Sequence, residues 1–205
     1  MLGFFKKKKA LIVVDVQNDF VPGGALAVPK GDEVVPVINK LIQEYDLVVA
    51  TKDWHPKNHV SFASRHPGHR VGDRVELENC NQTLWPDHCV QGTKGAEFVP
   101  GLETKKFAKV FEKGVSPEID SYSGLYDNGY GRATGLEAYL KGEKVEEVYI
   151  VGLATDYTVK YTALDCKKAG FKTHVIKAGC RAVNLNAGDE EKALRELQTG
   201  GVDVK

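Results

Sequence analysis

The sequence predicts a single α/β domain in which helices cover both faces of a mostly parallel β-sheet. Apolar runs of strand length alternate along the chain with segments of helical periodicity. Alternation of this kind is typical of parallel strands that are buried on both sides. The 205 residues contain no repeat, linker or low-complexity tract, and this length suits one folding unit. We therefore expect residues 1–205 to form one domain.

Each element follows from a local pattern. Apolar runs predict strands at 9–16, 47–51, 145–153 and 171–176, with a weaker run at 108–111 and a short one at 202–204. Helical spacing of apolar residues predicts helices at 32–45, 134–140, 155–168 and 189–197. In the helix at 155–168 the expected buried face carries Val159, Thr162, Ala163 and Cys166.

Charge and composition exclude several classes of function. Lysine plus arginine equals aspartate plus glutamate at 28 each, so no overall field favours nucleic acid or an acidic partner. The basic residues 6–9 precede only five apolar residues, too few for a signal-peptide core or a membrane span. We therefore expect a cytoplasmic protein that binds neither nucleic acid nor a membrane, with free thiols at Cys80, Cys89, Cys166 and Cys180.

One long segment, 55–105, has little periodicity and holds five of the six histidines. Ordered loops of this length in compact domains usually serve a functional site. Polar residues also follow four predicted strands, at the sheet edge where ligands of open parallel sheets collect. These are Asp15, then Asp53 and His55, then Glu112 and Lys113, and finally residues 154–158. The sequence therefore predicts a site at this edge.

Asp53 and His55 form a D-x-H pair in extended chain, where residues two apart project to one side. A carboxylate oxygen and an imidazole nitrogen placed in this way can bind one divalent ion, with further ligands from elsewhere. His88 in the long loop is the candidate third ligand, and His59 is a less certain fourth. His66 and His69 are expected at the surface.

Several segments resemble those of one enzyme family. They are Asp15-Val16-Gln17-Asn18-Asp19-Phe20, Asp53-Trp54-His55-Pro56, Trp85-Pro86-Asp87-His88-Cys89-Val90 and Gly152-Leu153-Ala154-Thr155-Asp156-Tyr157, with Lys113-Gly114, Ser121-Tyr122-Ser123 and Cys180-Arg181-Ala182. They resemble the nicotinamidases, which belong to the isochorismatase-like cysteine hydrolases. The resemblance runs in order over nearly the whole chain, and relatives with other substrates generally lack the D-x-H and W-P-x-H segments. It implies the isochorismatase-like hydrolase fold and an amidase that converts nicotinamide, or a related pyridine amide, to the acid and ammonia.

The resemblance also implies roles for individual residues. Asp15 would be the general base, and Lys113 the cation that polarises the site. The backbone N–H groups of Ala154 and residue 158 would form the oxyanion hole, beside a cis peptide between Leu153 and Ala154. One divalent metal ion, usually zinc, would be held by Asp53, His55 and His88, and the ring nitrogen of the substrate would bind it. The residues implied to flank the ring or close the pocket are Phe20, Trp85 and Tyr122.

Thr158 stands where the resemblance expects a nucleophilic cysteine. A thiol at such a position ionises readily, whereas a threonine hydroxyl needs a base during attack and its branched Cβ crowds the approach. Three interpretations follow. Thr158 is a variant or engineered residue in an otherwise competent enzyme, or it marks a non-hydrolytic relative, or it is a working nucleophile that Asp15 activates.

Other functions remain open at this point. The same pocket could bind a pyridine ligand without chemistry, and an isochorismatase-like hydrolase with another amide substrate is a further alternative. A dinucleotide-binding enzyme is the rival at the level of the fold, but residues 129–135 have the wrong glycine spacing and follow no strong strand. The sequence leaves the oligomeric state open, a homo-oligomer included.

Overall fold

The computed structural model describes residues 7–77 and 80–205. Its centre is a six-stranded, fully parallel sheet. The strands are β1 Lys9–Val14, β2 Leu47–Asp53, β5 Lys109–Lys113, β6 Glu147–Leu153, β7 Lys172–Arg181 and β8 Asp203–Val204. They lie side by side in the order β5-β2-β1-β6-β7-β8, and β3 and β4 belong to a separate ribbon. The predicted fold class is therefore confirmed, with strand ends that differ by a few residues from those expected.

Four α-helices connect the strands: α1 Val34–Ile42, α2 Leu136–Gly142, α3 Lys160–Lys168 and α4 Asp189–Thr199. Three of them begin later than predicted: α1 and α2 by two residues, and α3 by five. Residues Gly31–Glu33 form a 3-10 turn ahead of α1, and Thr155–Val159 form a π-helical turn ahead of α3. The helix predicted at 155–168 would place residue 158 in its first α-helical turn; this is wrong, because residue 158 lies in the wider turn that precedes α3.

The core has two layers, one on each face of the sheet. Successive side chains of a strand point to opposite faces. In β1, Ala10, Ile12 and Val14 therefore pack on one face, while Leu11 and Val13 pack on the other. Helices α2, α3 and α4 cover the first face, and α1 covers the second together with parts of the long loop. This two-sided burial explains why β1 reads as a continuous apolar run.

The long loop is more regular than its sequence indicates. It contains an antiparallel ribbon of β3 Arg74–Leu77 and β4 Cys80–Thr83, which the lack of periodicity hid. Short 3-10 turns at Ala63–Arg65 and Lys94–Ala96 add to it. Single β-bridges from His55 to Val90 and from Phe62 to Trp85 fold the segment back on itself, and a bridge from Gln17 to Phe98 fastens it to the start of the chain.

The order of the strands fixes where a site can lie. The chain starts in the middle of the sheet at β1, moves outward through β2 to β5, and then returns to β6 beside β1. Ligands of open parallel sheets bind beyond the carboxyl ends of the strands where the order reverses. Over residues 7–77 and 80–205, no helix is both long and apolar enough to cross a membrane.

Candidate active site

A cavity of about 440 Å³, its open mouth included, lies beyond the carboxyl ends of β2, β5 and β6. Eight of the ten residues predicted for the site line it: Phe20, Asp53, Trp85, His88, Lys113, Tyr122, Ala154 and Thr158. The other two, Asp15 and His55, are fully buried and reach Lys113 and Asp53 respectively. All ten therefore lie together at this edge of the sheet.

Lys113 is a fully buried cation between two carboxylates. Its ammonium group lies 3.0 Å from Asp15 Oδ2, donates to Asp53 Oδ1 and also donates to Ser121 O at 2.9 Å. Burial acts to lower the pKa of Lys113, but the two carboxylates outweigh burial and raise this pKa above its usual value. Lys113 therefore stays charged and holds both carboxylates in place.

The two carboxylate oxygens of Asp15 have different partners. Thr51 Oγ1 donates to Asp15 Oδ1 at 2.6 Å, whereas Oδ2 is buried and lies 3.0 Å from Lys113 Nζ. Burial raises the pKa of Asp15 to about 6, while Lys113 acts in the opposite direction. An oxygen of this kind can accept a proton from a hydroxyl brought beside it.

Two histidine rings turn the same nitrogen toward Asp53. His55 Nδ1 lies 2.9 Å from Gly114 O, and His88 Nδ1 lies 2.7 Å from Pro86 O. Because a carbonyl oxygen only accepts, each Nδ1 carries the hydrogen, and in the neutral ring Nε2 keeps its lone pair. The two Nε2 atoms lie 3.6 and 3.9 Å from Asp53 Oδ2. Burial lowers the pKa of His88 to about 4, which favours its neutral form.

The chemistry of this donor set fits a divalent cation. Asp53, His55 and His88 offer buried ligand atoms that all lie within 4.8 Å of one another. Nitrogen and carboxylate donors in a set of three suit zinc with an open coordination position. The local charge also favours a cation. Three buried carboxylates, those of Asp15, Asp53 and Asp120, surround a single buried ammonium group, that of Lys113.

Gly114 lets the His55 ring sit where it does. Its φ is +60°, and a Cβ at this position would lie 2.3 Å from His55 Cε1. Only glycine accommodates both the left-handed backbone and the close ring. The Lys113-Gly114 pair of the sequence therefore supplies a charge and, directly after it, the space and the carbonyl oxygen that orient His55.

Sequence reasoning missed two buried residues near the cavity, Asp120 and Gln82, and gave His59 only as a less certain ligand. Asp120 lines the cavity, and together with His55 and His59 it forms a second buried group of potential ligand atoms within 4.8 Å. Gln82, on the ribbon strand β4, donates to Asp120 Oδ2 at 2.8 Å and to the Tyr122 hydroxyl at 3.1 Å. The signal for Asp120 was its place directly before the Ser121-Tyr122-Ser123 segment, whereas nothing local distinguished Gln82.

His66 and His69 differ in burial. His69 is exposed, as predicted, whereas His66 is half-buried and its Nε2 lies 2.7 Å from Val60 O.

Gln17, inside the first motif, bonds both the N–H and the C=O of Asp53 at 2.8 Å and thereby fixes the backbone of the D-x-H pair. The buried thiols of Cys89, Cys166 and Cys180 are free, and the side chain of Cys80 lies outside the described residues.

Aromatic and aliphatic side chains form the remaining walls of the cavity. Phe20 contacts the His88 ring, with centroids 5.6 Å apart. Tyr157 meets both Trp85 and Tyr122 edge to face, at 5.0 and 5.7 Å. The aliphatic part of the lining is Leu26, Val28, Leu153 and Val183. This arrangement can hold a flat ring between apolar surfaces with one edge toward the His88 and Asp53 donors.

The turn after β6 contributes Ala154, Tyr157 and Thr158 to the lining of the cavity. The Leu153–Ala154 peptide is cis, as the resemblance implied. Thr158 Oγ1 donates to Leu153 O at 2.6 Å and accepts from Ala154 N–H at 3.1 Å. Asp156 in the same turn accepts from the N–H groups of Val183 and Asn184 and so fastens the turn to the next wall of the cavity.

Comparison with known proteins agrees with this arrangement. The isochorismatase domain model matches residues 9–204. A nicotinamidase of Escherichia coli is 47% identical over 200 residues, which cover 96% of this chain and 93% of that protein. The solved nicotinamidase and pyrazinamidase of Acinetobacter baumanii superposes with a TM-score of 0.94 at 46% identity, covering 98% and 96% of the two chains.

A solved pyrazinamidase of Pyrococcus horikoshii in complex with zinc has a TM-score of 0.80 at 39% identity and covers 97% of this chain and 98% of its own. The family model spans nearly the whole chain, and the relatives are well above the identity at which membership is secure. The chain therefore belongs to the isochorismatase family, among its nicotinamidase-like amide hydrolases.

Proposed function

We propose that this chain hydrolyses nicotinamide to nicotinate and ammonia through an acyl-enzyme on residue 158. The observation that carries the proposal is a cavity that combines apolar ring walls with a buried histidine–carboxylate donor set and that lies against the buried Lys113–Asp15 pair. The relatives named nicotinamidase support the choice of substrate.

We propose Asp53, His55 and His88 as the ligands of one divalent ion, with zinc as the ion that suits them best. The zinc complex of the Pyrococcus horikoshii relative supports this choice. When bound, the metal supplies a Lewis acid for the ring nitrogen of a pyridine substrate. The chain's own residues then hold the ring: Phe20 and Trp85 flank its faces, and Tyr122 closes the outer side.

The proposed reaction proceeds in two halves. Asp15 Oδ2 accepts the proton of the Thr158 hydroxyl as Oγ1 bonds to the amide carbon, and the N–H groups of Ala154 and Thr158 stabilise the oxyanion. The C–N bond then breaks, the nitrogen takes the proton from Asp15, and ammonia leaves. Water then adds to the resulting ester while Asp15 accepts one of its protons; the C–Oγ1 bond breaks, Asp15 returns the proton to Oγ1, and nicotinate leaves. Lys113 keeps Asp15 oriented throughout.

Thr158 makes this route slow. A threonine hydroxyl is far less acidic than a cysteine thiol, so Asp15 must remove its proton during attack. Its β-methyl group also restricts the approach of the amide carbon. We therefore propose that the chain binds pyridine amides well and turns them over poorly. A second candidate function, a pyridine-binding protein without turnover, is favoured by the two hydrogen bonds that already engage the Thr158 hydroxyl.

The test is direct product analysis. The protein loaded with zinc is incubated with nicotinamide, and nicotinate and ammonia are measured together by chromatography and an ammonia assay. We expect equal amounts of both products, with formation abolished in Asp15→Asn. Binding of nicotinamide without either product after prolonged incubation would favour the second candidate, and absence of binding would contradict both.

A further inference from the structure

We propose that Asp19 is a positioning residue that couples the loop carrying His88 to the loop that forms one wall of the ring cavity. The inference rests on the proposed function, because it takes the metal and the pyridine as the ligands that each loop serves. Asp19 itself is half-buried and does not line the cavity. Its effect must therefore act through the groups that its carboxylate holds.

The two oxygens of the Asp19 carboxylate hold two different loops. Oδ2 accepts the N–H of Cys89 at 2.7 Å, and Oδ1 accepts the N–H of Ala25 at 3.2 Å. Both donors are backbone groups, and Asp19 forms no ion pair within residues 7–77 and 80–205. The carboxylate therefore acts as a fixed acceptor for loop backbone rather than as half of a salt bridge.

On the metal side, residue 89 lies between Asp19 and the proposed ligands. Cys89 follows His88 directly and has a φ of +45°, a conformation that a residue with a side chain seldom adopts. Its N–H is held by Asp19, and its C=O accepts the N–H of His55 at 3.0 Å. The peptide groups of residue 89 thus connect Asp19 to the backbone of both histidines.

On the ring side, Asp19 fixes the loop that follows Phe20. Its side chain holds Ala25, and its own carbonyl oxygen accepts the N–H of Leu26 at 3.0 Å. Leu26 and Val28 line the cavity, and the N–H of Val28 donates to Phe20 O at 3.1 Å. A shift of the Asp19 carboxylate would therefore move the cavity wall formed by Leu26 and Val28 as well as the loop that carries His88.

Gly95 shows how closely the carboxylate is packed. A Cβ on Gly95 would lie 2.1 Å from Asp19 Oδ2 and 2.5 Å from Oδ1, whereas contacts under about 3 Å require one of the groups to move. We expect the Asp19 carboxylate to give way, because Gln17 and Asn18 hold the backbone of the 94–96 turn. A single methyl group at position 95 should thus displace the carboxylate without changing Asp19 or any residue of the cavity.

Two variants test the proposal by different routes. Asp19→Asn has one acceptor oxygen and one NH₂ group, so it cannot accept both backbone N–H groups. Gly95→Ala keeps the carboxylate and displaces it. The matched control is Gly142→Ala at the exposed end of α2, where a Cβ would meet no atom within 4 Å in the described structure. Zinc affinity is measured by competition with a chelating dye, and nicotinamide affinity by calorimetry at saturating zinc.

We expect both variants to weaken zinc binding about tenfold, the lower end of the usual cost of losing an outer-shell partner. Nicotinamide affinity at saturating zinc should fall as well, because the ring wall moves with the carboxylate. Circular dichroism at the assay temperature establishes that each variant is folded, and if Asp19→Asn does not fold, Gly95→Ala decides. Unchanged affinities in folded variants would overturn the inference, and so would loss of zinc binding alone. A parent protein that binds neither zinc nor nicotinamide would contradict the proposed function instead.

Discussion

The hydroxyl of Thr158 accepts the N–H of Ala154 at 3.1 Å, and its own hydrogen is directed to Leu153 O at 2.6 Å. One of the two backbone donors proposed for the oxyanion is therefore engaged before a substrate enters. The hydroxyl must release both hydrogen bonds before it can turn toward Asp15. This local arrangement adds to the intrinsic weakness of threonine as a nucleophile.

Replacement of this hydroxyl by a thiol gives the most direct prediction. Thr158→Cys should raise amidase activity by at least about 10³-fold, a conservative part of the roughly 10⁶-fold cost of losing a principal nucleophile. It should also make the protein sensitive to iodoacetamide, because a thiol in the cavity that Lys113 also lines should ionise readily. The rate of ammonia release, with and without iodoacetamide, measures both effects.

Thr158→Ser is the matched control, because it removes the β-methyl group and keeps a hydroxyl. It should bind nicotinamide as the parent does and gain far less activity than the cysteine variant. A cysteine variant that binds zinc and nicotinamide yet remains inactive would show that more than the nucleophile is missing. Parent activity at ordinary enzyme rates would contradict the account of Thr158.

Metal content tests the proposed ligands. Elemental analysis of protein equilibrated with zinc should give one ion per chain, with His55→Ala and His88→Ala each reducing this to a small fraction because three ligands become two. His69→Ala, at an exposed histidine, should retain the full content. A content that His55→Ala leaves unchanged would place the ion elsewhere.

Ligand selectivity tests the role of the ring nitrogen. Zinc should tighten the binding of nicotinamide by roughly tenfold or more, equivalent to about 1.4 kcal/mol. Benzamide, which has the same shape but lacks the ring nitrogen, should bind with similar affinity whether zinc is present or not. Calorimetric titration of both ligands with and without a chelator gives the four affinities. An equal effect of zinc on both ligands would argue that the metal only orders the cavity.

Lys113→Met tests the buried charge cluster. Removal of the ammonium group leaves Asp15 and Asp53 close together without their cation, and the loss of one partner from a buried pair costs about 3–5 kcal/mol. Urea unfolding of metal-free protein should show a decrease of this size. Lys105→Met, at an exposed lysine, should change the free energy of unfolding by less than about 0.5 kcal/mol. A decrease below about 1 kcal/mol for Lys113→Met would instead be the behaviour of an exposed ion pair.

The sequence predicted the fold well because local periodicity carries it. Continuous apolar runs marked the parallel strands, and the face expected on the helix after β6 is buried as predicted, from Val159 to Cys166. Helix starts were less accurate, since turns such as Thr155–Val159 differ from an α-helix only in their hydrogen bonding. The ribbon strands β3 and β4 were missed because each has only four residues: Arg74–Leu77 alternates over too short a run to stand out, and Cys80–Thr83 is mostly polar.

The sequence by itself determined which strand ends carry charge, where the D-x-H pair lies and that residue 158 is a threonine. These are properties of single positions and of short spacings. Only the tertiary structure decided which other residues hold these site residues in place. Gln82 reaches Asp120 across 38 positions, and Asp19 holds the N–H of Cys89 across 70. Such contacts depend on the path of the long loop over the sheet edge, and no local pattern of hydrophobicity or charge encodes that path.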